Sequence, residues 1–331
     1  MKTKYVMIAA LATMMAACSN DENVMNDGPV AAQVSAEISN RAVSRTTVGD
    51  NGTEWENKDK IGISTINGTG TDAPKTQYAN IPYIYDTDTQ EGKFKFDESA
   101  TEKKPIYFED AKEVTFCAYY PYYPEELTNG EITGILTDGA EQNGIDYLFA
   151  KGAKASKSSP EVRFVNDDVD ASFHHCMSQL TFSFSQGDGV TNGEFASLTG
   201  LKIEGVVNSG SFNTTTGEAT AKSADIQESD KGINSTISNE TETPTASVIL
   251  FPQIAPIDGG KFKISLKLNG ISYGATLTLP GDDTEAKGEF TAGVSVSYSI
   301  TIEKTALKVN GGAQISDWKT ETGGSGTATI Q

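Results

Sequence analysis

The sequence is poor in the residues that most often carry chemistry. Its 331 residues include only two histidines, His174 and His175, and three cysteines. Adjacent strand residues point to opposite faces, and no CxxC or HxxxH pair offers further ligands for a zinc site. No serine stands in a GxSxG elbow, and no glycine-rich loop precedes Lys-Ser or Lys-Thr. The sequence therefore predicts a protein with no enzymatic activity and no cofactor or metal.

Positive charge and long apolar runs are also scarce. The 26 lysines and arginines face 45 acidic residues, which leaves a net charge of −19. An acidic surface repels phosphate groups, and this excludes nucleic acid as a partner. After residue 17, no apolar stretch approaches the roughly 20 residues of a transmembrane helix. Long helical periodicity is absent as well, and only Pro124–Leu127 is predicted to form a helical turn.

The N-terminus has the pattern of a secretion signal. Lys2 and Lys4 precede the apolar run Tyr5–Ala17, which is too short to span a bilayer. Cys18 follows small residues, as in a bacterial lipobox, where the thiol is acylated and becomes the new N-terminus. We therefore predict that residues 1–17 are removed and that Cys18 carries acyl chains such as palmitate. The alternative is a cysteine inside an ordinary signal peptide.

An alternating segment follows the acidic stretch after Cys18. Within Val30–Ile38, apolar side chains including Val30, Val34 and Ile38 alternate with polar ones. A period of two predicts a half-buried strand.

The next segment is polar and carries two arginines, Arg41 and Arg45, before a turn rich in Gly, Asn and Asp. Exposed, flexible backbone with arginine is a preferred cleavage site for trypsin-like proteases. We predict cleavage after Arg45, which would leave Thr46 as the N-terminus, with Arg41 as the lesser candidate.

The rest of the chain alternates strand and turn patterns without intervening helices. This arrangement predicts an all-β protein built from antiparallel sandwiches. The non-periodic segment Lys151–Pro160 indicates a break between two domains, and Lys222–Pro244 has the composition of a long surface loop. The predicted strands are Lys60–Ile66, Lys93–Phe96, Lys112–Tyr120, Val162–Val165, Gln179–Ser185, Leu201–Val207, Ser247–Leu250, Lys261–Leu268, Ser272–Leu279 and Ser295–Lys304.

Two further features have alternative interpretations. Cys117 and Cys176 lie in strand-like surroundings, so buried free thiols are expected, with a disulfide as the alternative. The aromatic run Tyr119–Pro124 (YYPYYP) could stack on sugar rings at a glycan-binding surface. Alternatively, its tyrosines fill the core and cap a sheet edge, and the two prolines end the strand.

Several short motifs follow one another along the chain. The lipobox at Cys18 and the strand before Arg45-Thr46 come first. The later motifs are Trp55–Ile63 (WENKDKIGI), Phe116–Tyr122 (FCAYYPY), Asp146–Ala150 (DYLFA), Phe173–Leu180 (FHHCMSQL), Gly210–Phe212 with Thr216-Gly217, and Phe251–Gln253 (FPQ). In this order they resemble the motifs of the fimbrillin-like subunits of type V pili.

The resemblance implies two transthyretin-like β-sandwiches and a structural role. In that family the first strand fills a groove until proteolysis removes it, and a C-terminal strand of the next subunit then takes its place. The implied organisation is a signal peptide (1–17), a lipidated tether with a removable strand (18–45), an N-terminal sandwich (46–165) and a C-terminal sandwich (166–331). The donor strand would come from Gln314–Gln331. Its apolar side chains that insert into the groove would be Ile315, Trp318, Ala328 and Ile330.

The implied partners are other pilus subunits and, through the lipid, the outer membrane. The precursor would be a surface-exposed outer-membrane lipoprotein, and the processed subunit part of a fimbrium that supports adhesion to an unidentified ligand. Two alternatives stay open. One is a pilus anchor that is never cleaved, and the other is a surface lipoprotein that binds glycans through exposed tyrosines or Trp55.

Overall fold

The computed structural model describes most of the chain between residues 28 and 330. For residues 309–316 and 328–330 the backbone alone is described. The described residues are 28–39, 55–68, 71–87, 93–139, 144–165, 171–223, 227, 229, 231–239, 243–257, 259–280, 288–316 and 328–330.

The described chain is almost entirely β, which confirms the predicted fold class. Each of the ten predicted strands coincides with an observed strand to within two residues at either end. The first eleven strands are β1 (Val30–Ala31), β2 (Gln33–Ala36), β3 (Lys60–Thr65), β4 (Ile81–Tyr85), β5 (Lys93–Phe96), β6 (Tyr107–Phe108), β7 (Val114–Tyr120), β8 (Glu131–Leu136), β9 (Leu148–Ala155), β10 (Glu161–Phe164) and β11 (His174–His175).

The described residues of the second half form thirteen more strands and one short helix, α1 (Asn192–Phe195). Thr191 caps this helix and forms a capping box with Glu194. The strands are β12 (Ser178–Gln186), β13 (Thr199–Val207), β14 (Ser209–Asn213), β15 (Ala219–Ala221), β16 (Lys231–Ser235), β17 (Thr245–Leu250), β18 (Gln253–Ile254), β19 (Lys261–Leu268), β20 (Ile271–Thr278), β21 (Glu289–Phe290), β22 (Ser295–Glu303), β23 (Ala306–Ser316) and β24 (Ala328–Ile330).

An eight-stranded sheet organises the first half, in the order β10-β2-β5-β4-β3-β7-β9-β11. The second half contains a four-stranded sheet, β17-β12-β22-β23, and a five-stranded sheet, β16-β13-β19-β20-β24. Strand β8 from the first half pairs with β14 from the second, in the sheet β15-β14-β8. Two pairs, β2 with β10 and β12 with β22, are parallel, whereas the sequence pattern predicted antiparallel pairing.

The buried apolar residues of the described chain form three clusters. The first is drawn from residues 34–173 and the second from residues 180–307. A third cluster, here called the junction cluster, combines residues of both halves, among them Cys117, Tyr119, Cys176 and Phe212. The two faces of β7 therefore pack against different clusters. Phe116 belongs to the first cluster, and its neighbour Cys117 belongs to the junction cluster. The contact between the two halves is thus a hydrophobic core in its own right.

Three segments differ from their predicted local structure. Pro124–Leu127 is irregular and forms no helical turn. The supposed break Lys151–Pro160 contains the end of β9 and a tight turn into β10, because alternate small residues such as Ala153 and Ala155 are buried. The supposed loop Lys222–Pro244 contains β16, which pairs with β13 and buries Ile233.

Candidate functional site

Strand β2, within the predicted removable segment, is an internal member of its sheet. Strand β2 lies between β5 and β10, antiparallel to the first and parallel to the second. Val34 stands opposite Phe94 on one side and Val162 on the other. On the β10 side, the Gln33 amide donates to the Pro160 carbonyl at 2.9 Å and the Glu37 amide to Phe164 at 2.7 Å. Both edges of β2 are therefore paired.

The residues around β2 extend this pairing. The Ala32 amide donates to the Ile106 carbonyl at 2.9 Å, and the Ser39 amide donates to Phe173 at 2.9 Å. The Phe173 amide returns a 3.2 Å bond to the Glu37 carbonyl. Backbone hydrogen bonds to neighbouring segments therefore extend from residue 32 to residue 39.

The inner face of this segment forms part of the core. Val34, Ala36 and Ile38 are 3%, 1% and 4% exposed and belong to the first cluster, whereas Val30 is half-buried. On the outer face, Ser35 lies in register with Lys93 on one side and Arg163 on the other. The inner face of the segment therefore fills apolar sites in the core, and its outer face carries polar residues.

Trp55 contacts the buried segment through its indole. Its Nε1–H donates to the Ala36 carbonyl at 3.0 Å. The indole is 8% exposed and makes edge-to-face contacts with Phe94, Tyr120 and Phe173, at centroid distances of 5.2, 5.5 and 5.1 Å. Such aromatic contacts fix both the position and the orientation of the ring.

The buried indole also bears on the glycan hypothesis. The alternative in which an exposed Trp55 stacks on sugars is wrong for this residue, because the indole is buried and packs against three aromatic rings. Tyr119 is fully buried, and the half-buried Tyr120 packs on Trp55 and donates its hydroxyl to Asp59 Oδ1 at 3.0 Å. Tyr122 and Tyr123 are half-buried. The tyrosine run mainly supports the core, as in the second interpretation.

His174 is exposed, whereas His175 and Cys176 are buried. His175 Nδ1 and Asp146 Oδ1 are 2.7 Å apart, and both side chains are buried. Cys117 and Cys176 are buried free thiols. Burial raises the pKa of Cys117 to about 12 and also raises the pKa of Cys176. Among the described residues, no group of three or more His, Cys, Asp or Glu side chains could hold a metal ion.

The candidate donor residues lie on two different strands. Ile315 is in β23 and is in register with Val296 of β22. Ala328 and Ile330 are in β24, in register with Ala275 and Tyr273 of β20. The backbone of β24 thus forms the edge of the five-stranded sheet within its own chain.

Several predicted site residues lie outside the described part of the chain: Cys18, Arg41, Arg45, Thr46 and Trp318. Across the described ranges, no helix has the length and apolar character needed to cross a membrane.

Two features of the site were not predicted from the sequence. The parallel pairing of β2 with β10 joins residues far apart in the chain, so no local pattern signals it. The bond between Trp55 and Ala36 depends on the tertiary structure. Its one sequence signal is the position of Trp55 at the start of the phrase WENKDKIGI, close to strand β3.

The fold is similar to that of solved bacterial proteins described as candidate cell adhesion proteins. A candidate cell adhesion protein from Bacteroides ovatus superposes with a TM-score of 0.68 at 24% identity, over 89% of this chain and all of that one. A second, from Bacteroides uniformis, gives a TM-score of 0.63 at 22% identity, over 89% of this chain and 99% of the other.

The sequence assigns the protein to a family. Residues 42–318 match the fimbrillin-like family model, and the chain belongs to the fimbrillin-like family. It is also 28% identical, over the full length of both chains, to a candidate fimbrium subunit of Bacteroides uniformis named Fim1C.

Proposed function

We propose that this protein is a pilus subunit that polymerises by strand exchange. Acylation of Cys18 holds the precursor at the outer membrane with its bulk exposed at the cell surface. An arginine-specific protease then cuts after Arg45, and the segment containing β2 leaves. The C-terminal strand of the next subunit enters the vacated groove, and the resulting filament supports adhesion.

The main support is the position of β2 inside its sheet. Loss of β2 exposes the unpaired edges of β5 and β10 and empties the sites of Val34, Ala36 and Ile38. Unpaired backbone groups beside apolar pockets favour the binding of another strand. An added strand would restore both ladders and the buried apolar area.

The distribution of arginine favours a cut at one place. The sequence contains three arginines, Arg41, Arg45 and Arg163. Arg163 lies within β10, whose backbone is paired with β2. A protease needs an extended, accessible backbone, so the strand protects this third arginine. Trp55 and all later strands remain in the subunit after cleavage at Arg45.

The test is the N-terminal residue of protein released from the cell surface. Mass spectrometry should find Thr46 in the wild type. Arg45→Ala, or the double change with Arg41→Ala, should leave an uncleaved, lipidated precursor that forms no filaments. Arg163→Lys is the matched control and should be processed normally. Processing of the double variant at the same site would contradict arginine-specific cleavage.

The C-terminus is tested separately. Deletion of residues 315–331 should leave a processed monomer that does not polymerise. Electron microscopy and size-exclusion chromatography measure this outcome. Filaments formed by the truncated protein would exclude the C-terminal segment as donor.

A further inference from the structure

We propose that Trp55 selects which strand can enter the groove. The entering strand must place a small residue at the site of Ala36 and a β-branched residue at the site of Ile38. The indole N–H of Trp55 then binds the backbone carbonyl of the small residue. We assign this strand to the C-terminus of a second copy, with Ala328 and Ile330 at the two sites. This inference rests on the strand exchange proposed above.

The hydrogen bond gives the first reason. Cleavage after Arg45 removes Ala36 and leaves Trp55, so the indole loses the acceptor that lies 3.0 Å away. Indole Nε1 can only donate, and a buried donor left without an acceptor costs more free energy than a typical hydrogen bond contributes. A strand that aligns a carbonyl with Nε1 removes this penalty. Trp55 thereby favours one register of the entering strand.

Steric fit gives the second reason. The methyl group of Ala36 is buried in the same cluster as the indole. Phe94, Tyr120 and Phe173 surround the Trp55 ring in edge-to-face contacts. These contacts prevent the ring from moving aside to make room for a larger side chain. Extra methylene groups at the site of Ala36 would therefore strain the packed core. The site of Ala36 therefore excludes large side chains.

The sequence of the C-terminus gives the third reason. Ala36-Glu37-Ile38 and Ala328-Thr329-Ile330 share the same order of small, polar and β-branched residues. Ala313-Gln314-Ile315 has this order too, but it belongs to β23, whose pairing with β22 extends from residue 306 to residue 316. Strand β24 pairs with β20 at three positions, Ala328 to Ile330. A short edge strand leaves its sheet more readily than a long one.

The test measures peptide binding to the processed protein. This protein is prepared by cleavage with an arginine-specific protease and keeps all residues after the cleavage site. Fluorescence anisotropy follows labelled peptides of residues 322–331 at protein concentrations below self-assembly. Ala328→Leu in the peptide should weaken binding by about tenfold or more, because leucine overfills the buried site of Ala36. Thr329→Leu is the matched control. It places the same leucine on the outer face and should change the affinity by less than about threefold.

The Trp55→Phe subunit separates selection from a merely structural role. It should bind the wild-type peptide roughly three- to tenfold more weakly, through loss of one hydrogen bond. It should also discriminate less between the wild-type peptide and the Ala328→Leu peptide, because phenylalanine leaves more space. An unchanged ratio of the two affinities, with both reduced equally, would overturn selection by Trp55. The ratio is measured within one variant, so a loss of active protein does not affect it.

A peptide of residues 28–39 distinguishes the other failures. If the cleaved chain binds neither this peptide nor the C-terminal one, strand exchange is wrong and the inference fails with it. If it binds residues 28–39 alone, the groove accepts strands but the assigned C-terminal donor is wrong. If both peptides bind and Ala328→Leu has no effect, strand exchange stands and selection by Trp55 is overturned.

Discussion

The α-carbon of Gly62 faces the ring of Tyr119 so closely that a Cβ at residue 62 would lie 2.3 Å from Tyr119 Cε1. The two residues are register partners in β3 and β7. Tyr119 is fully buried, and its hydroxyl donates to Asn80 Oδ1 at 2.8 Å. The ring therefore has no room to move away.

This contact predicts that Gly62→Ala is destabilising. The added methyl group should lower the free energy of unfolding by about 1–3 kcal/mol, the usual cost of overpacking a core. Gly68→Ala is the control, because a Cβ there has no neighbour within 4 Å. Denaturant titration measures both variants. Equal stability of the two would show that the Tyr119 ring shifts at little cost.

The buried pair of His175 and Asp146 gives a second prediction. Asp146→Ala leaves the His175 Nδ1 atom without its 2.7 Å partner and should cost about 1–3 kcal/mol or more. Asp146→Asn keeps a hydrogen-bonding oxygen and should cost less. Glu98→Ala, at an exposed acidic position, should change the free energy of unfolding by about 0.5 kcal/mol or less. The same order of stabilities in thermal and chemical unfolding would support the assignment, and its reversal would contradict it.

The helix cap predicts a specific pH dependence. Glu194 accepts hydrogen bonds from Lys304 and from Thr191, and these lower the pKa of its carboxyl to about 2. Because the folded-state pKa lies below the ordinary value of 4.5, the contribution to stability is fully present above about pH 4.5. It is lost as the pH falls toward 2. The stability difference between wild type and Glu194→Gln should therefore be largest near neutral pH and shrink over this acidic range.

Unfolding experiments at a series of pH values measure that difference in stability. Glu303→Gln is the control, because it removes a nearby carboxylate and keeps Glu194 with its hydrogen bonds. A difference that stays constant from pH 7 to pH 2 would exclude the proposed titration of Glu194.

The two thiols report on opening of the junction cluster. Cys117 and Cys176 are buried, and burial raises the pKa of both, so little reactive thiolate forms near neutral pH. In a chain that starts at Ser19, iodoacetamide at pH 8 should modify neither cysteine in the native state and both in denaturant. Mass spectrometry counts the added groups. Rapid modification of the native protein would indicate that the two halves separate without global unfolding.

The sequence predicted the strands whose pattern is local. Lys261–Leu268 alternates large apolar and polar residues, and the observed strand has the same bounds. Strand β9 was missed because its buried residues near the end, Ala153 and Ala155, are small and the intervening lysine made the segment look like a linker. Strand β16 was missed because its single apolar side chain, Ile233, lies in a stretch rich in serine, threonine and glutamate.

The candidate site was predictable only in part. The alternation in Val30–Ile38 indicated a strand with one buried face, and Val34 and Ile38 are indeed in the core. The strands on either side of β2 could not be deduced, because pairing between distant segments depends on the whole sheet. The same limit applies to Trp55, whose acceptor is nineteen positions away in sequence.

The parallel pairing of β2 with β10 also has a consequence for the order of folding. Gln33 is synthesised early, yet its register partner Glu161 follows only after all the other strands between them. Contacts that close such long loops form late and slowly. The hairpins β3-β4 and β4-β5 can form first. Strand β2 remains unpaired on one side until β10 has been synthesised. An export pathway must therefore keep the apolar face of that segment from aggregating until nearly half of the polypeptide has emerged.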